Sequence, residues 1–228
     1  MMTVPLSVII PTLNESAHLP SLLRDLKAGC DLISGIVVSD GGSSDDTLAL
    51  AAQAGARIVT GPPGRGGQFH RGIMAASSPW LLLLHADSTL PPGWADRLRQ
   101  TLASASVNRA YYGRLRFACA DPRARLLECG AALRCAIFRL PYGDQGLLIH
   151  RDLLATIGGM PEAPLMEDVL LARKLGRSHL VPMDLTISTD ATAYIRNGWY
   201  CRAAGNLWRL ARFLAGGSPV NLAAAYKR

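Results

Sequence analysis

The chain has 228 residues, 49% of them hydrophobic and 18% charged, and a net charge of +7. That is enough apolar material for one large domain with an appendage, and it excludes a disordered chain. No window reaches the roughly 18 apolar residues of a membrane span, and no basic leader precedes the short apolar segment 6–10, so export is not expected.

Residues 6–12, L-S-V-I-I-P-T, read as a buried strand, followed by Asn14, Glu15 and then Leu19, Leu22, Leu23 and Leu26 at helical spacing. Residues 36–40 form a second strand, and the turn G-G-S-S-D-D leads into a helix over 47–54. A short strand at 57–60 is followed by the loop G-P-P-G-R-G-G and a helix from about residue 68 to 77.

Trp80 opens the run W-L-L-L-L, too short for a helix and suited to a strand buried on both faces of a parallel sheet. It stops abruptly at His85, Ala86 and Asp87. A carboxylate at such a strand end can hold a divalent cation against phosphates, or it can simply cap the next turn. A helix is expected over 94–103, a half-exposed strand over 111–119 and a helix over 123–138. Next come the polar loop P-Y-G-D-Q-G, a short strand at 147–149, a helix ended by Gly158 and Gly159, and a helix opened by Met166, Glu167 and Asp168.

After Pro182 the pattern weakens, and one or two helices are expected from residue 198 onward. On a 3.6-residue period Tyr200, Leu207, Leu210, Ala211 and Leu214 share one face, opposite Arg202, Arg209 and Arg212. The basicity lies here: residues 191–228 hold 6 Lys and Arg and no acid, whereas residues 1–190 hold 18 against 17 acids. The expected organisation is therefore a domain over 1–190 and a basic amphipathic helical tail over 191–228. Such a tail either packs on the domain or docks on an acidic membrane surface. Five scattered cysteines without a C-x-x-C pair suggest idle thiols in a reducing cytoplasm. The basic residues are not interleaved with a stacking platform, which argues against nucleic acid.

Strands alternating with helices predict an α/β fold with a doubly wound, mainly parallel sheet, flanking helices and a helical C-terminal tail. The loops after its strands should meet at one edge, bringing residues 12–15, 40–44, 64–67 and 85–87 together. Three of these loops carry acids, one carries Arg65 among glycines, and all precede helix N-termini that favour anions. No G-x-G-x-x-G follows the first strand, which disfavours a classical dinucleotide site.

The series V-I-I-P-T-L-N-E, V-V-S-D-G-G-S-S-D-D-T, G-R-G-G-Q, L-L-H-A-D-S and M-E-D resembles glycosyltransferase family 2 over roughly residues 4–180, in particular a bacterial branch with H-A-D and M-E-D motifs. The resemblance implies a GT-A fold and metal-dependent, inverting transfer from a nucleotide-diphosphate sugar, with UDP favoured, to an acceptor hydroxyl. It implies that Asp40 contacts the base, that Pro11, Thr12 and Glu15 line base and ribose, that Arg65 lies beside the nucleotide, and that Ala86 touches the ribose through its backbone. Asp87 would coordinate Mg2+ or Mn2+, and Asp168 would be the catalytic base. Glu167, Asp144 and Gln145 would touch donor or acceptor. His85 replaces the first aspartate of the family's D-x-D, and residues 68–71, Q-F-H-R, depart from the Gln-x-Asn of that branch, which leaves the contacts of His70 open. Arg196 has no certain place in the resemblance. The expected setting is the cytoplasm, with peripheral membrane contact through the tail as an option. A noncatalytic nucleotide-sugar binder and a sugar-phosphate nucleotidyltransferase are the alternatives, the second disfavoured because P-T-L-N-E stands where a basic glycine-rich loop would be.

Overall fold

The computed structural model describes residues 5–217 and 219. Its strands are β1 (Leu6–Thr12), β2 (Ile33–Asp40), β3 (Arg57–Thr60), β4 (Trp80–Leu83), β5 (Ala110–Phe117), β6 (Leu147–His150) and β7 (Leu180–Thr189). They form one sheet in the order β3-β2-β1-β4-β6-β5-β7. The pairs β1–β2, β1–β4, β2–β3 and β5–β7 are parallel. Among the described strands β6 alone runs in the opposite direction, antiparallel to both β4 and β5.

The helices are α1 (Leu19–Lys27), α2 (Thr47–Gln53), α3 (Arg65–Ala75), α4 (Trp94–Ala103), α5 (Pro122–Phe138), α6 (Arg151–Thr156), α7 (Glu167–Leu175), α8 (Thr192–Asn197) and α9 (Trp199–Leu214). The period-2 alternation of the central strands sorts their side chains into two layers. Val8, Ile10, Leu82 and Leu84 pack with Leu22 of α1 and Trp94 and Leu98 of α4. Ile9, Leu81 and Leu83 pack on the other side with Phe69 and Ile73 of α3 and Leu171 of α7. The result is the expected α/β fold, a mostly parallel sheet between helical layers.

Most boundaries agree with the sequence, and the departures are informative. β2 begins at Ile33 instead of residue 36. α3 begins at Arg65, so R-G-G is the first turn of a helix and not loop. Glycine is a poor helix former, but Gly66 has no room for a side chain: a Cβ there would lie 2.2 Å from the carbonyl oxygen of Pro161. β5 is largely buried in its first half, because β6 and β7 flank it. β7 was not expected, although M-D-L-T-I-S-T alternates and Met183, Leu185 and Ile187 are buried. Pro182 and the polar half of the alternation hide it.

The tail also differs. Trp199, Leu210 and Phe213 are the buried residues of α9; Trp199 packs with Phe117 and Ala124, and the other two pack with Val169 of α7. Of the face grouped as apolar in the sequence, Tyr200, Leu207 and Leu214 are exposed, and Leu210 alone is buried. The helix is rotated because the aromatic cluster around Trp199 sets its phase. Residues 220–228, the end of the expected tail, lie outside the described residues. No described helix is long and apolar enough to cross a membrane.

The rotation has a measurable consequence. Leu210→Ala should destabilise the protein by about 1.5–3 kcal/mol, since Leu210 is 9% exposed. Leu207→Ala, at 63% exposed, should stay within about 0.5 kcal/mol of the parent. Equal effects in equilibrium denaturation would contradict this packing.

Candidate active site

The parallel strands deliver their C-terminal ends to one edge, and the reversed β6 delivers its N-terminal end to the same edge. The short 3-10 turn Gly143–Gln145 that precedes β6 therefore stands beside the loop after β4. An open cleft of about 240 Å³ lies there, lined by Arg65, His85, Asp87, Asp144, Glu167 and Asp168. Thr189, Asp190, Tyr194, Arg202, Asn206 and Arg209 line it too.

The loops after β1 and β2 are laced together by local polar contacts. Asn14, at φ 55°, donates its N–H to Ser43 Oγ at 2.8 Å and accepts from Ser44 N–H at 2.9 Å. Glu15 N–H donates to Thr47 Oγ1 at 2.8 Å. Gln68, unassigned in the sequence beyond its departure from the branch pattern, ties both strands to the next loop. Its amide donates to the carbonyls of Thr12 and Ser39, and its oxygen accepts from Gly64 N–H.

Asp40 is fully buried within this lacework. Its carboxylate accepts from Thr12 Oγ1 (3.0 Å), Ser43 Oγ (2.5 Å) and the N–H groups of Gly42 and Ser43 (2.8 Å each). Burial opposes its charge, but these donors together hold its pKa below the usual carboxylate value. All four acceptor positions are used, so the base contact expected of Asp40 meets a carboxylate whose lone pairs are already taken. Thr12 and Pro11 are likewise buried in β1. Glu15 is half-buried, and its pKa is raised by burial and by the charge of Asp87, while His18 at 3.1 Å opposes the shift.

Asp87 lines the cleft, where its Oδ2 accepts from Thr189 Oγ1 at 2.8 Å; Ala86 buries its methyl in the core. Asp168 accepts at Oδ2 from Gly143 N–H (2.9 Å) and at Oδ1 from Val169 N–H (2.7 Å), leaving further lone pairs on both oxygens. Met166, at φ 62°, is held in the left-handed region at the N-terminus of α7. Beyond it the two acids of the first turn diverge. Both line the cleft, but Glu167 is 1% exposed and lies 3.4 Å from Arg65 Nη1, whereas Asp168 is half-buried. Burial raises the Glu167 pKa against the opposing charge of Arg65.

Asp144 lines the cleft with its Oδ1 sealed from solvent and without a hydrogen-bond partner among the described residues. Burial pushes its pKa up to about 6. Gln145, expected to touch a ligand, does not line the cleft. Its oxygen accepts from Tyr142 N–H and Arg134, and its amide donates to the Gly113 carbonyl, so it is a buried brace between the turn and β5. His85 turns Nε2 toward Gly143, where an added Cβ would lie 2.4 Å away. Burial, then the charge of Arg65, lowers its pKa to about 4 and leaves the ring neutral at pH 7. His70 lies 3.8 Å from Glu162, and Arg196 is exposed and does not line the cleft.

A family model described as glycosyl transferase family 2 matches residues 7–140, more than half of the chain. The chain belongs to glycosyltransferase family 2. It is 37% identical over 93 residues to an uncharacterized glycosyltransferase of Mycobacterium tuberculosis, covering 40% of this chain and 41% of that one. It is 30% identical over 161 residues to a PGL/p-HBAD biosynthesis glycosyltransferase of the same organism, covering 67% of this chain and 61% of that one. This family 2 chain thus spans about two fifths to three fifths of those relatives. Glucosyl-3-phosphoglycerate synthase from M. tuberculosis, solved with Mn2+, UDP and glucosyl-3-phosphoglycerate, shares the fold with a TM-score of 0.61 at 24% identity, covering 79% of this chain and 70% of that one.

Among the described residues no group of three or more His, Cys, Asp or Glu side chains is arranged to hold a metal. The donor set at the cleft fits a cation only in a shared mode. Asp87 would supply one carboxylate, and Mg2+ or Mn2+ would need its other oxygens from water and from a bound ligand.

The position of Asp144 generates a pH dependence. Its folded pKa lies above the unfolded value, so the folded state binds the proton more tightly and loses relative stability as pH rises from about 4 to about 6. Denaturant midpoints of the parent should therefore fall relative to Asp144→Asn across that window and run parallel above pH 7.

Proposed function

We propose that the chain is a metal-dependent, inverting glycosyltransferase that moves a sugar from a nucleotide-diphosphate sugar, a UDP-sugar first among them, to an acceptor hydroxyl. The observation that carries this reading is the convergence of Asp87 and Asp168 on one cleft from β4 and α7, beside Arg65. Asp168 acts as general base. The backbone N–H groups of Gly143 and Val169 orient its carboxylate while lone pairs remain for the acceptor's proton. Asp87, hydrogen-bonded by Thr189, would hold the cation. When bound, the cation would supply positive charge that stabilises the departing nucleoside diphosphate. Arg65 adds a permanent positive charge at the N-terminus of α3, where the helix end also favours an anion. Attack by the acceptor oxygen from the face opposite the leaving group needs no covalent enzyme intermediate.

Asp40 serves this reaction by rigidifying the base-binding loop. In this reading Pro11, Thr12, Glu15 and Ala86 form the floor and rim of the nucleotide side. The bound Mn2+ and UDP of the glucosyl-3-phosphoglycerate synthase structure support the choice of donor and cation. On this reading α9 belongs to the catalytic body and is not a separate tail, because Arg202, Asn206 and Arg209 line the cleft.

Donor binding and turnover over UDP-, GDP- and dTDP-sugars with Mn2+ or Mg2+ test the reading. Asp168→Asn should lower turnover by about 10²–10⁴ while leaving donor affinity within about threefold. Asp87→Ala should cost donor affinity at least about tenfold, in the presence of metal only. Absence of binding by any nucleotide sugar would end the proposal.

A second reading concerns the exposed side of α9. Tyr200, Leu207, Trp208 and Leu214 present apolar surface beside Arg212, which suits shallow seating on an anionic membrane. Trp80, Trp94 and Trp199 are buried and Trp208 is 55% exposed, so tryptophan fluorescence reports on this face. Anionic vesicles should shift the emission to the blue, and an unchanged spectrum would remove the membrane reading.

A further inference from the structure

Arg202, Asn206 and Arg209 stand at i, i+4 and i+7 on α9 and so share one helical face. All three line the cleft that holds Asp87 and Asp168. They reach it from the β6-β5-β7 half of the sheet, since α9 follows β7 through α8 and packs Trp199 on Phe117 at the end of β5. The residues assigned to the nucleotide lie on the other half, at the ends of β1 and β2 and the start of α3, with Asp87 between the two. On the transferase reading, the α9 face therefore borders the acceptor.

We propose that Arg202 and Arg209 form an anion subsite for the acceptor, so that the molecule receiving the sugar carries a phosphate or carboxylate near its reacting hydroxyl. This rests on the transferase assignment above.

The chemistry of the cleft supports it. Asp87, Asp144, Glu167, Asp168 and Asp190 line the space, and such a surface repels a negatively charged acceptor. Two guanidinium groups bring positive charge to the acceptor side, and their planar forks match carboxylate and phosphate oxygens. They are also held in place. Asn206 accepts from Arg209 Nη2 at 2.5 Å and donates to Tyr194 Oη at 3.1 Å. The Arg202 guanidinium lies 5.1 Å from the Tyr194 ring centroid. Tyr194 in turn stacks on Trp199 at 5.3 Å and meets Phe117 edge-on at 4.8 Å. The rotamer entropy of long side chains is thus largely lost on folding and is not charged against binding.

The test titrates glycerol 3-phosphate into the intact protein by calorimetry, with glycerol as the neutral control. A parallel arm compares phosphatidylglycerol vesicles with phosphatidylcholine vesicles. At least one anionic probe should bind, and Arg202→Gln/Arg209→Gln should weaken it at least about tenfold, the loss expected for charge-assisted hydrogen bonds. Affinity for the nucleotide sugar should change less than about threefold. The arm that responds identifies a soluble phosphate ester or a lipid headgroup as the source of the anion. Arg202→Lys/Arg209→Lys should retain part of the binding, and it replaces the glutamine variant if circular dichroism shows that variant unfolded. Failure of both anionic probes to bind, or equal binding by parent and double variant, would overturn the subsite. Loss of nucleotide-sugar affinity in place of anion affinity would overturn it too, moving the arginines to the donor. Arginine-dependent anion binding in a parent that binds no nucleotide sugar would leave the subsite standing and remove the transferase reading.

Discussion

β6 enters the sheet against the direction of its neighbours, so the turn before it, not the one after it, stands at the edge where the other strands end. That inversion places Gly143 N–H against Asp168 and Asp144 beside Asp87 in the cleft. A uniformly parallel strand here would send residues 143–145 to the far edge, more than 10 Å away for a strand of this length. The close fit of the turn then constrains composition. Gly143 meets the His85 ring, which leaves no room for a side chain, and Gln145 spends its hydrogen-bonding capacity on bracing the turn to β5 and α5.

The carboxylates at this edge are distinguished by their surroundings. Asp40 has four donors and is held charged as a fixed element of the loop. Asp144 and Glu167 have lost water, and burial raises both pKa values. Asp168 keeps two backbone donors and an open side toward the cleft. Acids of one sequence type thus separate by their surroundings into one fixed by donors, two that burial shifts upward, and one that keeps an open side. Grouping five acids without a permanent counter-charge would be costly, and Arg65, Arg202 and Arg209 stand around them.

The half of the sheet formed by β3, β2, β1 and β4 was legible in the sequence because its signals are local. Strand, turn and cap residues within about ten positions define β1, β2, β4 and their loops, and Asp87 and Asp168 fall at element ends that pattern alone locates. The other half depends on contacts between distant residues. Thr189 reaches Asp87 across 102 positions, and it belongs to a strand whose proline and polar face obscure the alternation. Gln145 reads as a polar loop residue, and its burial follows only from the packing of α5 and β5 over it. The faces of α9 were misassigned because a helical period fixes which residues share a face but not which face is buried. The aromatic contacts of Trp199 with Phe117 and Tyr194 decide that.

The two halves therefore obey different constraints. A nucleotide diphosphate presents the same phosphates to every enzyme that uses it, and backbone N–H groups, one cation and a rigid loop can bind it with short motifs. An acceptor has no common group, so on the transferase reading its recognition falls to side chains on elements added beyond the sheet, here α9 and the turn before β6. Their positions follow from packing, with Trp199 and Phe213 anchoring the helix at both ends while Arg202, Asn206 and Arg209 project between them. A helix tethered in this way can change its cleft-facing residues without disturbing the anchors. Specificity can then change while the fold and the donor site stay the same.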